Sequence, residues 1–196
     1  MDNELLFRIL LVSIYAVFAG VRIYYRSQNI GRTSDKEFTQ RTKAIIVLIV
    51  AILGYFLTLG IWIVFPSLIL SFQMALPSII RWLGGGLALF ATGLTVWIHR
   101  TLGKQYSAKL EIQKDHQLIT VGPYSKVRHP MYVTLNLFSL SVSVISANLL
   151  LISFAISVAI PFYWIARAEE ALLIEQFGEE YLAYMQTTGR FFPRLR

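Results

Sequence analysis

The 196-residue sequence has no cysteine, and only 15% of its residues are charged. The absence of cysteine excludes disulfides and thiolate metal sites. This charged fraction is low in comparison with soluble domains, in which about a quarter of the residues are charged. Hydrophobic residues make up 56% of the chain, and its mean hydropathy is +0.58. Together these values predict an integral membrane protein.

Acidic residues are also scarce, since 11 Asp and Glu face 18 Lys and Arg and leave a net charge of +7. Such an excess could indicate nucleic-acid binding. The basic residues instead flank apolar runs, where they orient membrane helices and attract anionic headgroups. Basic and aromatic residues do not alternate as they do on nucleic-acid-binding surfaces. We therefore expect the lipid bilayer, and no nucleic acid, as a partner.

Several catalytic signatures are missing. The sequence has no phosphate-binding loop, no Gly-x-Ser-x-Gly turn and no carboxylate pair typical of glycosidases. Its three histidines, His99, His116 and His129, are separated by 17 and 13 residues. These spacings match no compact ligand pattern, so we expect no metal site.

Long apolar stretches dominate the sequence. About 20 apolar residues in a helix cross the hydrocarbon core of a bilayer. The candidates are Leu5–Tyr24, Ala44–Phe65, Ser78–His99 and the longer stretch Met131–Ala166. Within the third, Gly84-Gly85-Gly86 would let a neighbouring helix approach closely.

The stretch Met131–Ala166 is too long for one span and contains a break at Ser146-Ala147-Asn148. Asn148 is a good N-cap for a second arm, and Pro161 is expected to kink that arm. The sequence thus predicts an all-α membrane protein of five transmembrane helices, the last two forming a hairpin. We expect one domain over residues 1–196, with a scaffold of about 5–99 and a functional region of about 100–196.

The charge distribution predicts the orientation. Residues 22–43, 100–128 and 167–196 hold 16 of the 18 Lys and Arg, whereas Pro66–Pro77 holds no charge. Basic loops stay in the cytoplasm. With five spans, the N-terminus is therefore expected outside and the C-terminus in the cytoplasm.

Residues 116–132 are the first candidate site, because they combine two His, two Tyr, an Arg and two Pro at a membrane border. Gly122-Pro123 predicts a turn, and Pro130 suits the first turn of a helix. Arg128 and the amides that open this helix favour a carboxylate or phosphate. The alternative is that Arg128 only reaches headgroups and His129 is an interfacial residue.

The second candidate segment begins at Arg167, where the fifth helix is expected to leave the bilayer. Glu169 and Glu170 are costly there unless they meet a cation. That cation could be Arg128, Arg167 or a ligand. Apolar residues from Leu172 to Tyr184 recur every three or four positions. This spacing predicts a C-terminal amphipathic helix along the cytosolic membrane surface.

Together, the two segments resemble the isoprenylcysteine carboxyl methyltransferase family, among the membrane methyltransferases that include phospholipid methyltransferases. The matching residues are His116-x-Leu118-x(3)-Gly122-x-Tyr124-x(3)-Arg128-His129-Pro130-x-Tyr132, then Glu169-Glu170-x(6)-Phe177-Gly178-x-Glu180-Tyr181-x(2)-Tyr184 and Gly189-Arg190-x-Phe192-Pro193. The resemblance covers about residues 99–196. The size and five-helix layout resemble the short prokaryotic members.

The resemblance implies S-adenosylmethionine as methyl donor, with S-adenosylhomocysteine as product. It implies cofactor contacts from His116, Gln117, Leu118, Ile119, Tyr124, Arg128, His129, Pro130, Met131, Tyr132, Glu169 and Glu170. It also implies catalytic roles for Glu170 and for an arginine that binds the substrate carboxylate. That arginine usually lies two residues upstream of the position of Arg167; Ile165 occupies its place, and Arg167 is our candidate.

The acceptor is expected to be lipophilic, in the first instance the carboxylate of a prenylated cysteine or a similar compound. A phospholipid or a small amine or thiol is the alternative. Two other functions are open: an oxidoreductase like the membrane sterol reductases, whose C-terminal regions are similar, and a membrane scaffold without chemistry. Fold and motif do not by themselves determine function. The sequence does not specify the oligomeric state.

Overall fold

The computed structural model describes residues 2–28, 42–103 and 118–194. Within these ranges there is no β-strand. Seven α-helices follow one another: α1 (Asp2–Ser27), α2 (Thr42–Val64), α3 (Ser78–Leu102), α4 (Pro130–Ser146), α5 (Leu149–Ser157), α6 (Ala159–Phe177) and α7 (Glu179–Thr187). Two short 3-10 segments cover Pro66–Phe72 and Gly122–Ser125.

Among the described residues, four helical stretches are long and apolar enough to cross a membrane. They are Asn3–Ser27, Ala44–Val64, Ser78–Leu102 and the combined α5–α6 stretch Leu149–Phe177. The fifth apolar helix, α4, has 17 residues. At 1.5 Å per residue α4 is about 25 Å long, somewhat less than the hydrocarbon core. The all-α, multi-pass membrane protein is confirmed, and the count of five spans stays a prediction.

The turn between α4 and α5 is built as the sequence predicts. The Asn148 side chain accepts hydrogen bonds from the amides of Leu150 and Leu151 at 3.1 and 3.4 Å. These amides have no partner inside their own helix, so the side chain satisfies them. Ala147 ends α4 in the left-handed conformation, with φ of 51°. The two arms therefore reverse direction within two residues and pack against each other.

The second arm is interrupted at Val158, between α5 and α6. Pro161 lies three residues further on; it has no N–H to donate to the Ser157 carbonyl, and its ring crowds that group. Beyond this interruption α6 continues without a break to Phe177. The helix therefore continues through Arg167, and apolar residues spaced by three and four fit such a continuous helix as well. That the chain leaves the bilayer at Arg167, and that a C-terminal amphipathic helix follows along the membrane surface, stay predictions.

The shorter helix α4 lies at the centre of the bundle and contacts α1, α3, α5 and α6. It packs tightly against α3 at Gly84. A Cβ at Gly84 would lie 2.9 Å from the Ser141 carbonyl oxygen and 3.1 Å from a Val144 methyl. One of the three predicted glycines therefore permits close packing, as is usual between membrane helices.

Polar contacts fix the C-terminal end of α4. The Arg81 guanidinium donates to the Ile145 carbonyl at 2.8 Å and forms a bidentate ion pair with Glu4. Gln73 donates to the Ser146 carbonyl, also at 2.8 Å. Contacts from α1, α3 and the loop after α2 therefore hold α4 in place. The loop before α4 leads into this fixed helix.

Candidate active site

Residues 118–129 form a compact loop that leads into α4. The 3-10 turn Gly122–Ser125 begins with Gly122 at φ 59°, and a Cβ there would meet the Thr101 hydroxyl oxygen at 2.9 Å. Only glycine combines this conformation with this close approach. The Tyr184 hydroxyl, from α7, donates to the Tyr124 carbonyl at 2.5 Å. The predicted turn is thus held between α3 and α7.

The loop also pairs with the segment after α7 through main-chain hydrogen bonds. The amide of Arg128 donates to the Gly189 carbonyl at 2.9 Å, and the amide of His129 donates to the Arg190 carbonyl at 3.1 Å. Val127 and Gly189 form an isolated parallel bridge. The two polar segments singled out in the sequence are therefore joined directly, backbone to backbone.

Glu170 lies at the centre of the site and is 3% exposed. Its Oε1 accepts from Arg128 Nε at 2.8 Å and lies 3.3 Å from His129 Nε2. Its Oε2 accepts from Arg190 Nε at 2.9 Å and Nη2 at 2.5 Å. Both oxygens therefore have cationic or imidazole partners from this chain, as a buried carboxylate requires.

Of the cations that the sequence left open for the glutamates, Arg128 pairs with Glu170. Its side chain also donates to the carbonyls of Met185 and Thr188, at the end of α7. The charge of Arg128 is thereby compensated within the protein. The interpretation of Arg128 as a residue that only reaches headgroups is wrong.

Glu169 forms the second half of the site. Its Oε2 lies 3.2 Å from His129 Nδ1, and its Oε1 accepts from the Tyr132 hydroxyl. The Tyr132 ring stacks on Phe162 at 4.8 Å between centroids. The Glu169 side chain is 20% exposed, against 4% for that of Glu170. Glu169 is therefore the carboxylate of the pair that a ligand can reach.

His129 lies between the two carboxylates, with one ring nitrogen facing each. Only the doubly protonated imidazolium donates from both nitrogens. Burial opposes this charge, but the hydrogen bonds of Glu169 and Glu170 outweigh burial and raise the pKa of His129 above 6.5. The protonated site therefore places Arg128, Arg190 and His129 against two carboxylates.

We expect this arrangement to make the stability of the protein depend on pH. Because the pKa of His129 is raised on folding, its contribution is complete below about pH 6.5 and is lost as the pH rises through the folded-state pKa. Thermal unfolding in detergent across this range should show the decline in wild type. His129→Gln should remove the decline. If the stability of this variant falls with pH as steeply as that of the wild type, the role given to His129 is wrong.

The structure accounts for most of the predicted site residues. Arg128, His129, Tyr132, Glu169 and Glu170 come together in one cluster, and Pro130 opens α4 directly beside it. Tyr124, Leu118 and Ile119 are partly buried in the loop before α4. Met131 contacts α1 through Arg22. His116 and Gln117 lie outside the described residues.

Arg167 and Arg190 differ most from expectation. Arg167 is exposed on α6 and makes no ion pair with any residue in the described part of the chain. Arg190 was absent from the predicted site, yet it holds Glu170 and lies over the Tyr163 ring at 5.4 Å. Its place beside Gly189 in the C-terminal motif was the signal available in the sequence.

The expectation of no metal site stays a prediction. Across residues 2–28, 42–103 and 118–194, no three His, Cys, Asp or Glu side chains are grouped as metal ligands. The cluster around His129 contains two carboxylates whose oxygens already face guanidinium, imidazole or phenol groups.

A comparison with protein-family models matches residues 79–180, just over half of the chain, to the phospholipid methyltransferase family. The chain belongs to this family. The matched range includes the loop before α4, the α4–α5 hairpin and both glutamates, so the family assignment rests on the elements that build the site. The resemblance to isoprenylcysteine carboxyl methyltransferases is confirmed by the relatives and the solved structure.

The curated relatives of this phospholipid methyltransferase family member have two kinds of name. The cobalt-zinc-cadmium resistance protein CzcN of Cupriavidus metallidurans is 31% identical over 70% of this chain and 64% of its own length. The nickel-cobalt-cadmium resistance protein NccN of Alcaligenes xylosoxydans is 32% identical over 55% of this chain and 51% of its own length. Human protein-S-isoprenylcysteine O-methyltransferase is 32% identical over 49% of this chain, but only 35% of its own length.

A solved structure supports the family fold over nearly the whole chain. The eukaryotic intramembrane Ras methyltransferase ICMT (isoprenylcysteine carboxyl methyltransferase) aligns with a TM-score of 0.56 and 20% identity. The alignment covers 94% of this chain and 67% of that one. At this identity the likeness concerns the fold, and it includes the helices before residue 79 that the family model does not match.

Proposed function

We propose that this protein transfers a methyl group from S-adenosylmethionine to a lipophilic acceptor at the membrane. The observation that carries the proposal is the cluster of Glu169, His129 and Glu170 with two arginines at the start of α4. All of its members except Arg190 lie in the region that matches a methyltransferase family. We further propose that the site faces the cytoplasm, where the basic loops are expected.

The chemistry of the described side chains fits the proposed cofactor. An amino-acid end needs a carboxylate for its ammonium and a cation for its carboxylate. Glu169 and the partly exposed Arg190 offer one of each. The stacked Tyr132 and Phe162 rings, with the apolar Leu118 and Ile119 in the loop, offer surface for a purine. S-adenosylmethionine, when bound, supplies an electrophilic methyl group on a sulfonium.

The residues of this chain then have distinct roles. Glu169 binds the cofactor, and His129 and Tyr132 orient Glu169 through its two oxygens. Glu170 is proposed as a positioning residue, because its two oxygens accept hydrogen bonds from Arg128 and Arg190 and hold both side chains in place. Exclusion of water and alignment of the reactants supply most of the acceleration in such a site.

The acceptor that we propose first is the carboxylate of a prenylated cysteine or a similar lipid. A carboxylate is already ionised at neutral pH, with an ordinary pKa of about 3.5, so it requires no general base. An amine would have to lose a proton during the reaction, and His129 in its neutral form could accept that proton. Arg167 stays a prediction for binding the acceptor.

The metal-resistance names of two relatives do not lead us to propose metal binding. These names describe resistance, and the described part of this chain offers no three-residue ligand group.

The sterol-reductase and scaffold alternatives differ from our proposal in the soluble cofactor that they require. A reductase binds a nicotinamide cofactor, and a scaffold binds none.

One experiment tests the function and its sidedness. Labelled S-adenosylmethionine would be added to sealed inverted vesicles and to sealed right-side-out vesicles, with a prenylated cysteine analogue, phosphatidylethanolamine or a small thiol. We expect labelled prenylcysteine ester in the inverted vesicles only, because the charged cofactor does not cross the bilayer.

Calorimetric titration of the purified protein with S-adenosylhomocysteine and with NADPH supplies the control. Binding of NADPH alone would favour a reductase, and binding of neither would favour a scaffold. Either result would contradict the proposed function. Label in phosphatidylethanolamine alone would keep the cofactor and change the acceptor.

A further inference from the structure

Arg22 brings a positive charge from α1 to the edge of the candidate site. Its side chain is partly buried, and Nη1 lies 3.3 Å from His99 Nε2 and 3.5 Å from the Met131 sulfur. The Tyr25 ring stacks on the His99 ring at 4.7 Å, with 4° between the planes. Met131 is the second residue of α4, two positions after His129. Arg22 is therefore fixed beside the residues that open α4.

The contacts of Arg22 leave most of its hydrogen-bonding capacity unused. A guanidinium has five N–H donors and no acceptor. The hydrogen bonds to described residues come only from Nη1, and none comes from Nε or Nη2. These two nitrogens form the edge that binds two oxygens of a carboxylate or phosphate side by side. Arg190 uses this same edge on Glu170.

The charge of Arg22 is also uncompensated by the described part of the chain. Because a guanidinium only donates, His99 Nε2 acts as an acceptor and its ring is neutral; the Met131 thioether is neutral as well. By contrast, Arg81 is paired with Glu4, and Arg128 and Arg190 are paired with Glu170. A cation close to hydrocarbon favours an anionic partner. The described residues supply no such partner to Arg22, which leaves Nε and Nη2 open to the anionic group of a ligand.

The position of Arg22 indicates from which side the ligand arrives. The next two residues on α1, Ile23 and Tyr24, are 68% and 57% exposed on a membrane-spanning helix. They mark a surface that meets lipid. A long apolar chain lying against this surface would bring a polar head to Arg22, whereas a water-soluble molecule would gain nothing from it.

We propose that Arg22 binds the anionic group, a carboxylate or a phosphate, of the lipophilic methyl acceptor through Nε and Nη2. Arg22 would then determine specificity for acidic lipids from within α1, far in sequence from the glutamates. The inference rests on the proposed function, since it assigns an acceptor to the same site.

The test compares Arg22→Ala with Arg26→Ala, which removes an exposed arginine one turn further along α1. Each protein in nanodiscs would be titrated with a farnesylcysteine carboxylate, its neutral carboxamide, a single-chain phosphatidic acid and S-adenosylhomocysteine. We expect Arg22→Ala to weaken binding of the carboxylate about tenfold or more. Carboxamide and S-adenosylhomocysteine affinities should stay unchanged, and Arg26→Ala should behave as wild type.

Arg22→Lys guards against an effect on folding, because it keeps the charge and loses the paired donors. We expect it to restore part of the carboxylate affinity. Weakening of phosphatidic acid alone would identify phosphate as the anion. Unchanged affinity for both anions in Arg22→Ala would overturn the proposal, and so would an Arg167→Ala variant that alone lost them.

An equal loss of S-adenosylhomocysteine affinity in Arg22→Ala would assign the arginine to the cofactor and overturn the proposal. The wild type could also bind S-adenosylhomocysteine but show no preference for the carboxylate over the carboxamide or phosphatidic acid. That result would overturn the proposal for Arg22 and leave the proposed cofactor standing. A wild type that binds no S-adenosylhomocysteine would overturn the proposed function. The lipid titrations would still test whether Arg22 binds the anionic group.

Discussion

Glu170→Gln is expected to lower the free energy of unfolding by about 3–5 kcal/mol, the usual cost of breaking a buried ion pair. Glutamine has nearly the shape of glutamate but no charge. Arg128, whose side chain is 8% exposed, would keep its buried guanidinium without a counter-charge. Arg190 would lose its paired hydrogen bonds to Oε2. Denaturant titration in mild detergent measures the loss.

The same variant should bind S-adenosylhomocysteine at least tenfold more weakly, because the cations around the site lose their fixed positions. Glu169→Gln is the matched control, since it changes the same group one residue earlier and closer to solvent. We expect Glu169→Gln to weaken cofactor binding and to lower the stability less than Glu170→Gln does. If Glu170→Gln unfolds like wild type while Glu169→Gln does not, the roles given to the two carboxylates are reversed.

Gly189→Ala should be nearly as damaging, although it adds only one methyl group. A Cβ at Gly189 would lie 1.7 Å from the Phe192 carbonyl oxygen, so the backbone has to move. That movement displaces the carbonyls that accept from the Arg128 and His129 amides. We expect a loss of about 1–3 kcal/mol, as for other forced overlaps, and weak cofactor binding.

Gly86→Ala tests whether this effect is specific to position 189. Gly86 lies within α3, and a Cβ there would meet no atom within 4 Å. Alanine also favours a helix over glycine, so this variant should be at least as stable as wild type. Equal losses from both variants would mean that the turn at Gly189 has no special role.

Local chemistry explains which parts of the fold could be predicted. Asn148 caps α5 with its own neighbours, Pro130 begins α4, and Gly122 begins a turn. Each outcome depends on residues within three or four positions, so the sequence displays the cause. The continuous course of α6 through Arg167 could not be predicted, because apolar spacings of three and four are the same in one long helix and in two successive helices.

The candidate site could be predicted only in part, because its ion pairs join distant residues. The sequence indicated that the glutamates need a cation but left Arg128, Arg167 and a ligand as open choices. The choice depends on the α4–α5 hairpin, which brings Arg128 to Glu170 across 42 positions. Arg190 reaches the same carboxylate only because its backbone pairs with His129. No spacing rule describes such a contact.

The backbone pairing between residues 127–129 and 189–190 has a consequence for biosynthesis. Arg128 lies 60 positions before Thr188, with α4 to α7 between them. A nascent chain can insert these helices one after another, yet Glu170 lacks Arg190 until that residue has left the ribosome. The Glu170 cluster is therefore completed only after α4 to α7 have been synthesised. Quality control that senses only membrane insertion would pass a protein whose candidate site is not yet assembled.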